Sequence, residues 1–183
     1  MLSAPPIAAQ ARPLWSGQPI VLVGLMGVGK STVGRRLAAR LKLPFVDADH
    51  EIERAAAMTI SEIFEKYGEE YFRDGERRVI ARLMDGRPKV IATGGGAFIN
   101  PDTRAMMLRD ALVVWLDADL DVLADRVRRR DTRPLLRGRD AREVLRDLAA
   151  KRNPIYAEAH LRIPSQAAPH DATVRAILQA IGR

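Results

Sequence analysis

Cysteine is absent from the 183 residues, which excludes a disulfide framework, a thiolate metal site and a cysteine nucleophile. Long apolar runs are absent too. No stretch approaches the ~18 residues needed to span a bilayer, so no membrane partner is expected. Residues 1–19, MLSAPPIAAQARPLWSGQP, hold four prolines. They lack the charged start and apolar middle of a signal peptide. Arg12 and the low acidity are features of an organelle transit segment, but the stretch is short and poor in serine. Residues 1–19 are therefore expected to be a flexible extension. Internal repeats and long linkers are lacking, which leaves residues 20–183 as one domain. A cysteine-free chain without membrane segments fits the reducing cytoplasm, and a monomer is expected.

What is present is ordinary for a globular protein: 47% hydrophobic and 29% charged residues. The net charge of +7 suits nucleic acid, an anionic surface or small anionic ligands, and the placement of the charges must decide. Short apolar strands alternate with amphipathic helices. Strands are predicted at 20–23, 44–46, 89–92, 112–116 and 161–163. Helices are predicted at 32–41, 49–57, 61–67, 69–84, from about 101, at 120–130, at 142–159 with a break or kink at Pro154, and at 172–181. Near-continuous apolar strands between helices imply an α/β fold, a parallel sheet covered on both faces. Ligands of such sheets bind at the carboxyl ends of the strands, so functional motifs should follow strands.

They do. Gly24-Leu-Met-Gly27-Val28-Gly29-Lys30-Ser31 fits G-x-x-x-x-G-K-[ST], between a strand and a helix. Its glycines permit a tight turn that brings backbone N–H groups onto phosphate oxygens, and the helix N-terminus faces the same anion. Lys30 is placed to reach the β- and γ-phosphates, and the Ser31 hydroxyl to ligate Mg²⁺. A chance glycine-rich cap is the bland alternative, and the strand–loop–helix context argues against it. The motif specifies a nucleotide and Mg²⁺ but not a kinase.

Asp47-Ala-Asp49 follows the second strand. One carboxylate can anchor Mg²⁺ directly or through water, and the other can orient or deprotonate an attacking hydroxyl. Either alone would more often be a helix cap. Thr93-Gly94-Gly95-Gly96 follows the third strand and lets a ligand approach bare backbone, though a structural turn is the plain alternative. An acid at the end of that strand is missing, which makes Asp47 the better metal anchor than Asp117.

Seven arginines crowd between Arg126 and Arg139, with no aromatic among them. A solvated helix face is the usual meaning of such a run, and without aromatics a nucleic-acid stacking platform is not expected. Pro134 and Gly138 break the helical pattern, as a mobile lid closing over ATP would require. Arg73 stands three residues before Glu76 on one helix face, where the two can pair. Arg73 and Arg152 each offer a planar fork matched to a carboxylate.

With these residues assembled, the chain resembles the shikimate kinases, of the nucleoside-monophosphate-kinase-like P-loop kinases. The markers are Gly24–Thr32, Asp47 with Asp49, Ile63-Phe64, Phe72-Arg73 with Glu76, Thr93–Gly96, Arg133-Pro-Leu-Leu136 and Lys151-Arg152, spread over residues 20–181. The resemblance implies a three-layer α/β/α fold, a five-stranded parallel sheet in order 2-3-1-4-5 and a lid at about 128–140. It implies transfer of the γ-phosphoryl of ATP to the 3-hydroxyl of shikimate, a step toward chorismate and the aromatic amino acids. Gly27, Val28, Gly29, Lys30, Ser31 and Thr32 would hold phosphate. Ser31 and Asp47 would hold Mg²⁺. Lys30 and Arg133 would stabilise the transferring group, and Arg126 would lie against adenine. Asp49, Arg73, Gly94, Gly95, Gly96 and Arg152 would hold shikimate, with Asp49 as base or orienter. The loop 164–170, which closes the adenine pocket in such kinases, matches poorly.

Two other readings compete. A sibling kinase for another hydroxy acid, such as gluconate, is disfavoured by two arginines placed for a carboxylate beside an aspartate for hydroxyls. A nucleotide switch or nucleic-acid-dependent ATPase draws on the +7 charge, but the lid and substrate arginines account for much of it.

Overall fold

The structure, a computed structural model, describes residues 14–129, 140–165 and 169–183. Strands β1 (Ile20–Val23), β2 (Phe45–Asp47), β3 (Val90–Ala92), β4 (Leu112–Asp117) and β5 (Leu161–Pro164) form one sheet in order β2-β3-β1-β4-β5. All four pairings are parallel, and Ile20 of β1 aligns with Val90 on one side and Leu112 on the other. Every residue of β1 and β3 is buried. Successive strand side chains point to opposite faces, so burial of all of them requires cover on both.

That cover comes from α1 (Lys30–Leu41), α2 (Ala48–Ala56), α3 (Ile60–Leu83), α4 (Pro101–Asp110), α5 (Leu120–Arg128), α6 (Ala141–Tyr156) and α7 (His170–Ala180). Local chemistry sets their starts. Asp47 caps α2 by accepting from Asp49 N. Thr59 and Glu62 form a reciprocal capping box at α3. Asn100 caps α4, with Pro101 in the first turn.

The two helices predicted at 61–67 and 69–84 are the halves of α3. Gly68, at φ 83 and ψ 175, interrupts the helical backbone between them. No break occurs at Pro154. Helix α6 runs through it and ends two residues later at Tyr156. The end of the expected extension packs onto the domain. Trp15 is 9% exposed, its indole N–H donates to Gln18 O, and Arg183 lies over its ring. The Pro19 carbonyl accepts from Leu112 N. No helix among the described residues is long and apolar enough to cross a membrane.

Three segments sit at the carboxyl ends of neighbouring strands β1, β2 and β3. They carry residues 24–29, the Asp47–Asp49 pair and residues 93–96. The sheet thereby gathers three motifs lying up to seventy residues apart.

Candidate active site

The loop after β1 closes onto α1 through Gly29, at φ 97, in the left-handed region. A side chain there would also collide with the His170 ring, since a Cβ would sit 2.6 Å from its Cε1. Lys30 Nζ donates to the carbonyls of Gly24 (2.7 Å) and Leu25 (3.0 Å), which holds its ammonium over the loop. Arg126, from α5, donates to Gly27 O and Val28 O at 3.4 and 3.3 Å. A cavity of about 310 Å³ opens here, lined among others by Lys30, Ser31, Thr32, Asp47, Arg126 and His170. Val28 itself is fully buried, and its carbonyl accepts from Arg126.

Ser31 Oγ donates to Asp47 Oδ2 at 2.7 Å. Asp47 caps α2 with one oxygen and accepts from Ser31 with the other. The donors are hard oxygens at the edge of the phosphate loop, and the described residues contain no cluster of three His, Cys, Asp or Glu side chains that could form a cage. That set fits Mg²⁺, which keeps several waters and takes few protein ligands beside substrate phosphates.

A second cavity, of about 480 Å³, lies between α2, α3 and the glycine turn. Arg73 Nη1 donates to Glu76 Oε1 at 3.0 Å, and Arg73 Nη2 pairs with Glu69 at 3.2 Å. Glu76 is 4% exposed. Burial pushes its carboxyl above the usual carboxylate range, against the pull of Arg73, and the nearby Asp49 charge pushes the same way. At each glycine of the turn a side chain would press on a charged neighbour. A Cβ on Gly94 would lie 3.0 Å from Asp49 Oδ1, one on Gly95 3.0 Å from Arg152 Nη1, and one on Gly96 2.3 Å from Arg73 Nη1. Three charged side chains therefore converge on a bare backbone turn. Met26, Ile60, Phe64 and Phe72 supply an apolar wall.

Asp49, Gly94 and Gly95 line both cavities. An anion held by the phosphate loop and a carboxylate held by the arginines would meet across Asp49. Arg133 and most of the expected lid fall outside the described residues, as do Gln166 to Ala168 of the loop 164–170. Asp117 lines neither cavity and pairs with Arg162 at 2.6 Å.

Three residues at the site had no individual role assigned from the sequence, although Thr93 stands in the glycine motif and His170 in the loop 164–170. Thr93 lines the first cavity and is buried, with its hydroxyl donating to Leu22 O. His170 reaches the phosphate loop from the start of α7. Tyr156 donates its phenol O–H to Gly95 O. Nothing in the spacing of residues 156 or 170 signals proximity to residues 95 or 29, because only the folded sheet brings them there.

Residues 26–182 match the family model described as shikimate kinase. A shikimate kinase from Novosphingobium aromaticivorans is 59% identical over 169 residues, covering 90% of this chain and 88% of the relative. One from Caulobacter vibrioides is 60% identical over 162 residues, covering 88% and 81%. The solved structure of a shikimate kinase from Acinetobacter baumannii in complex with shikimate superposes with a TM-score of 0.87 at 41% identity, covering 91% of this chain and 93% of that one. Motifs, sheet order and relatives converge, and the chain belongs to the shikimate kinase family.

Proposed function

We propose that the chain transfers the γ-phosphoryl of ATP to the 3-hydroxyl of shikimate, giving shikimate 3-phosphate and ADP. The observation that carries this reading is the shared wall of the two cavities, formed by Asp49, Gly94 and Gly95. It lets a nucleotide on one side and a hydroxy acid on the other face a single carboxylate.

The backbone N–H groups of residues 27–32 and the Lys30 ammonium receive the phosphates. Arg126 lies beside the nucleotide, against adenine. Arg73 and Arg152 grip the shikimate carboxylate, with Arg73 already aimed by Glu76 and Glu69. Grip at the carboxylate orients the ring, which turns attack into an effectively intramolecular step. The 3-hydroxyl oxygen forms a bond to the γ-phosphorus as the bond to the β,γ-bridging oxygen breaks, and ADP leaves with that electron pair. Asp49 accepts the hydroxyl proton. Ser31, with Asp47 nearby, would hold Mg²⁺, which would supply neutralisation of phosphate charge. Arg133 adds positive charge to the transferring group.

A cytoplasmic monomer without nucleic-acid or membrane partners belongs to the same proposal. Titration with DNA at low and high salt tests the rival reading, because phosphate contacts weaken steeply with salt. The primary test is ADP release with ATP–Mg²⁺ and shikimate, gluconate, quinate or no acceptor. Turnover that requires shikimate is expected. Equal or faster turnover with gluconate would overturn shikimate as the acceptor.

A further inference from the structure

Tyr156 is the last residue of α6, fully buried, four residues after Arg152 and hence on the same helix face. Its ring packs between Phe98, at 6.4 Å between centroids, and Trp115, at 6.0 Å. These aromatic contacts fix where the phenol oxygen can point. Its O–H donates to the Gly95 carbonyl, and the Arg152 guanidinium acts electrostatically on the same phenol. Gly95 is crowded from this side by both groups, since a Cβ there would meet Arg152 Nη1 at 3.0 Å and Tyr156 Oη at 3.7 Å.

We propose that Tyr156 is a positioning residue for the acceptor, a single phenol that locks the Gly95 peptide and the Arg152 guanidinium in one arrangement. The inference rests on the assignment of Gly95 and Arg152 to shikimate. A carbonyl tied down by Tyr156 cannot rotate, so the bare face of Gly95 stays toward the cavity. An arginine held beside the same phenol gives up less side-chain freedom when a carboxylate arrives. Burial pushes the phenol to about 12, against the Arg152 charge, so the O–H remains a donor throughout the neutral range. No covalent step is asked of it.

The test is Tyr156→Phe, which keeps the ring and removes only the oxygen. Shikimate KM should rise about fivefold or more, with ATP KM changed less than about twofold, because the Gly95 peptide left without its donor and a loosened Arg152 both line the acceptor cavity. In an Arg152→Ala background the same change should cost markedly less, since the two act together. An unchanged shikimate KM, a parallel rise in both KM values, or an equal penalty in both backgrounds would overturn the proposal. A second measurement does not need the variant to fold. The chain has three tyrosines, and Tyr67 and Tyr71 are exposed. In fluorotyrosine-labelled full-length protein the buried Tyr156 resonance, assigned with Tyr67→Phe and Tyr71→Phe, should shift when shikimate is added. An immobile resonance would overturn the proposal. Wild-type protein without shikimate-dependent ADP release would instead overturn the reading on which it rests.

Discussion

Replacing Gly96 by alanine adds one methyl where the structure has least room for it. Gly96 sits at φ −91 and ψ −14, a backbone conformation open to any residue, so the peptide itself is not strained. The new Cβ would lie 2.3 Å from Arg73 Nη1 and 2.7 Å from both Cζ and Nη2. Favourable contacts begin near 3.5 Å, so the guanidinium must retreat by about 1 Å or more. Arginine can move at small cost to the fold, but it then leaves the place set by Glu76 and Glu69. Its hydrogen bonds to a carboxylate are charge-assisted, worth about 1.5–3 kcal/mol. Losing them should raise shikimate KM by roughly 10- to 100-fold. ATP KM should stay near wild type, and the melting temperature should fall by only a few degrees. Initial rates over a matrix of both substrates, with calorimetry on the same samples, measure all three. A shikimate KM within twofold of wild type would refute the reasoning that Arg73 must occupy the site against Gly96.

Three further expectations follow from the same geometry. Asp49→Asn should lower kcat by roughly 10²- to 10⁴-fold while ATP binding by calorimetry is retained, and near-normal turnover would remove Asp49 as proton acceptor. Glu76→Gln should gain in melting temperature relative to wild type as pH rises above 4.5. Burial raises the Glu76 carboxyl above that ordinary value, so the stabilisation from its proton is complete below 4.5 and is lost as pH climbs through the folded-state value. The same variant should bind shikimate more weakly, because Arg73 loses its inner partner, and a pH-independent difference in melting temperature would contradict the account. Trp15→Ala should cost about 3 kcal/mol, or roughly 6–12 °C in melting temperature, and an unchanged melt would return Trp15 to the flexible extension.

Much of the fold was legible before any coordinates. Apolar runs such as Ile20–Val23 and Leu112–Leu116 can only be buried strands, and their alternation with amphipathic segments dictates a covered parallel sheet. Gly68, between two helical patterns, marked the interruption of α3 correctly. Pro154 misled, because a proline two residues from the end of α6 costs little there and does not break the helix. The edge of the extension misled as well. Four prolines suggested loose chain, but Trp15 finds Arg183 from the far end of the sequence.

The sequence by itself determined the local chemistry of the site. The phosphate loop, the Asp47–Asp49 pair, the glycine turn and the Arg73–Glu76 spacing are each set within a few residues, by backbone turns and helical periodicity that need no distant partner. Only the tertiary structure decided how they combine. Parallel pairing of β1, β2 and β3 brings Ser31 onto Asp47 and puts Asp49 on the wall between two cavities. Packing of α6 brings Tyr156 to Gly95, sixty-one residues away. Such contacts depend on which strands neighbour one another and on how tightly side chains interlock, and no short window of sequence holds that information.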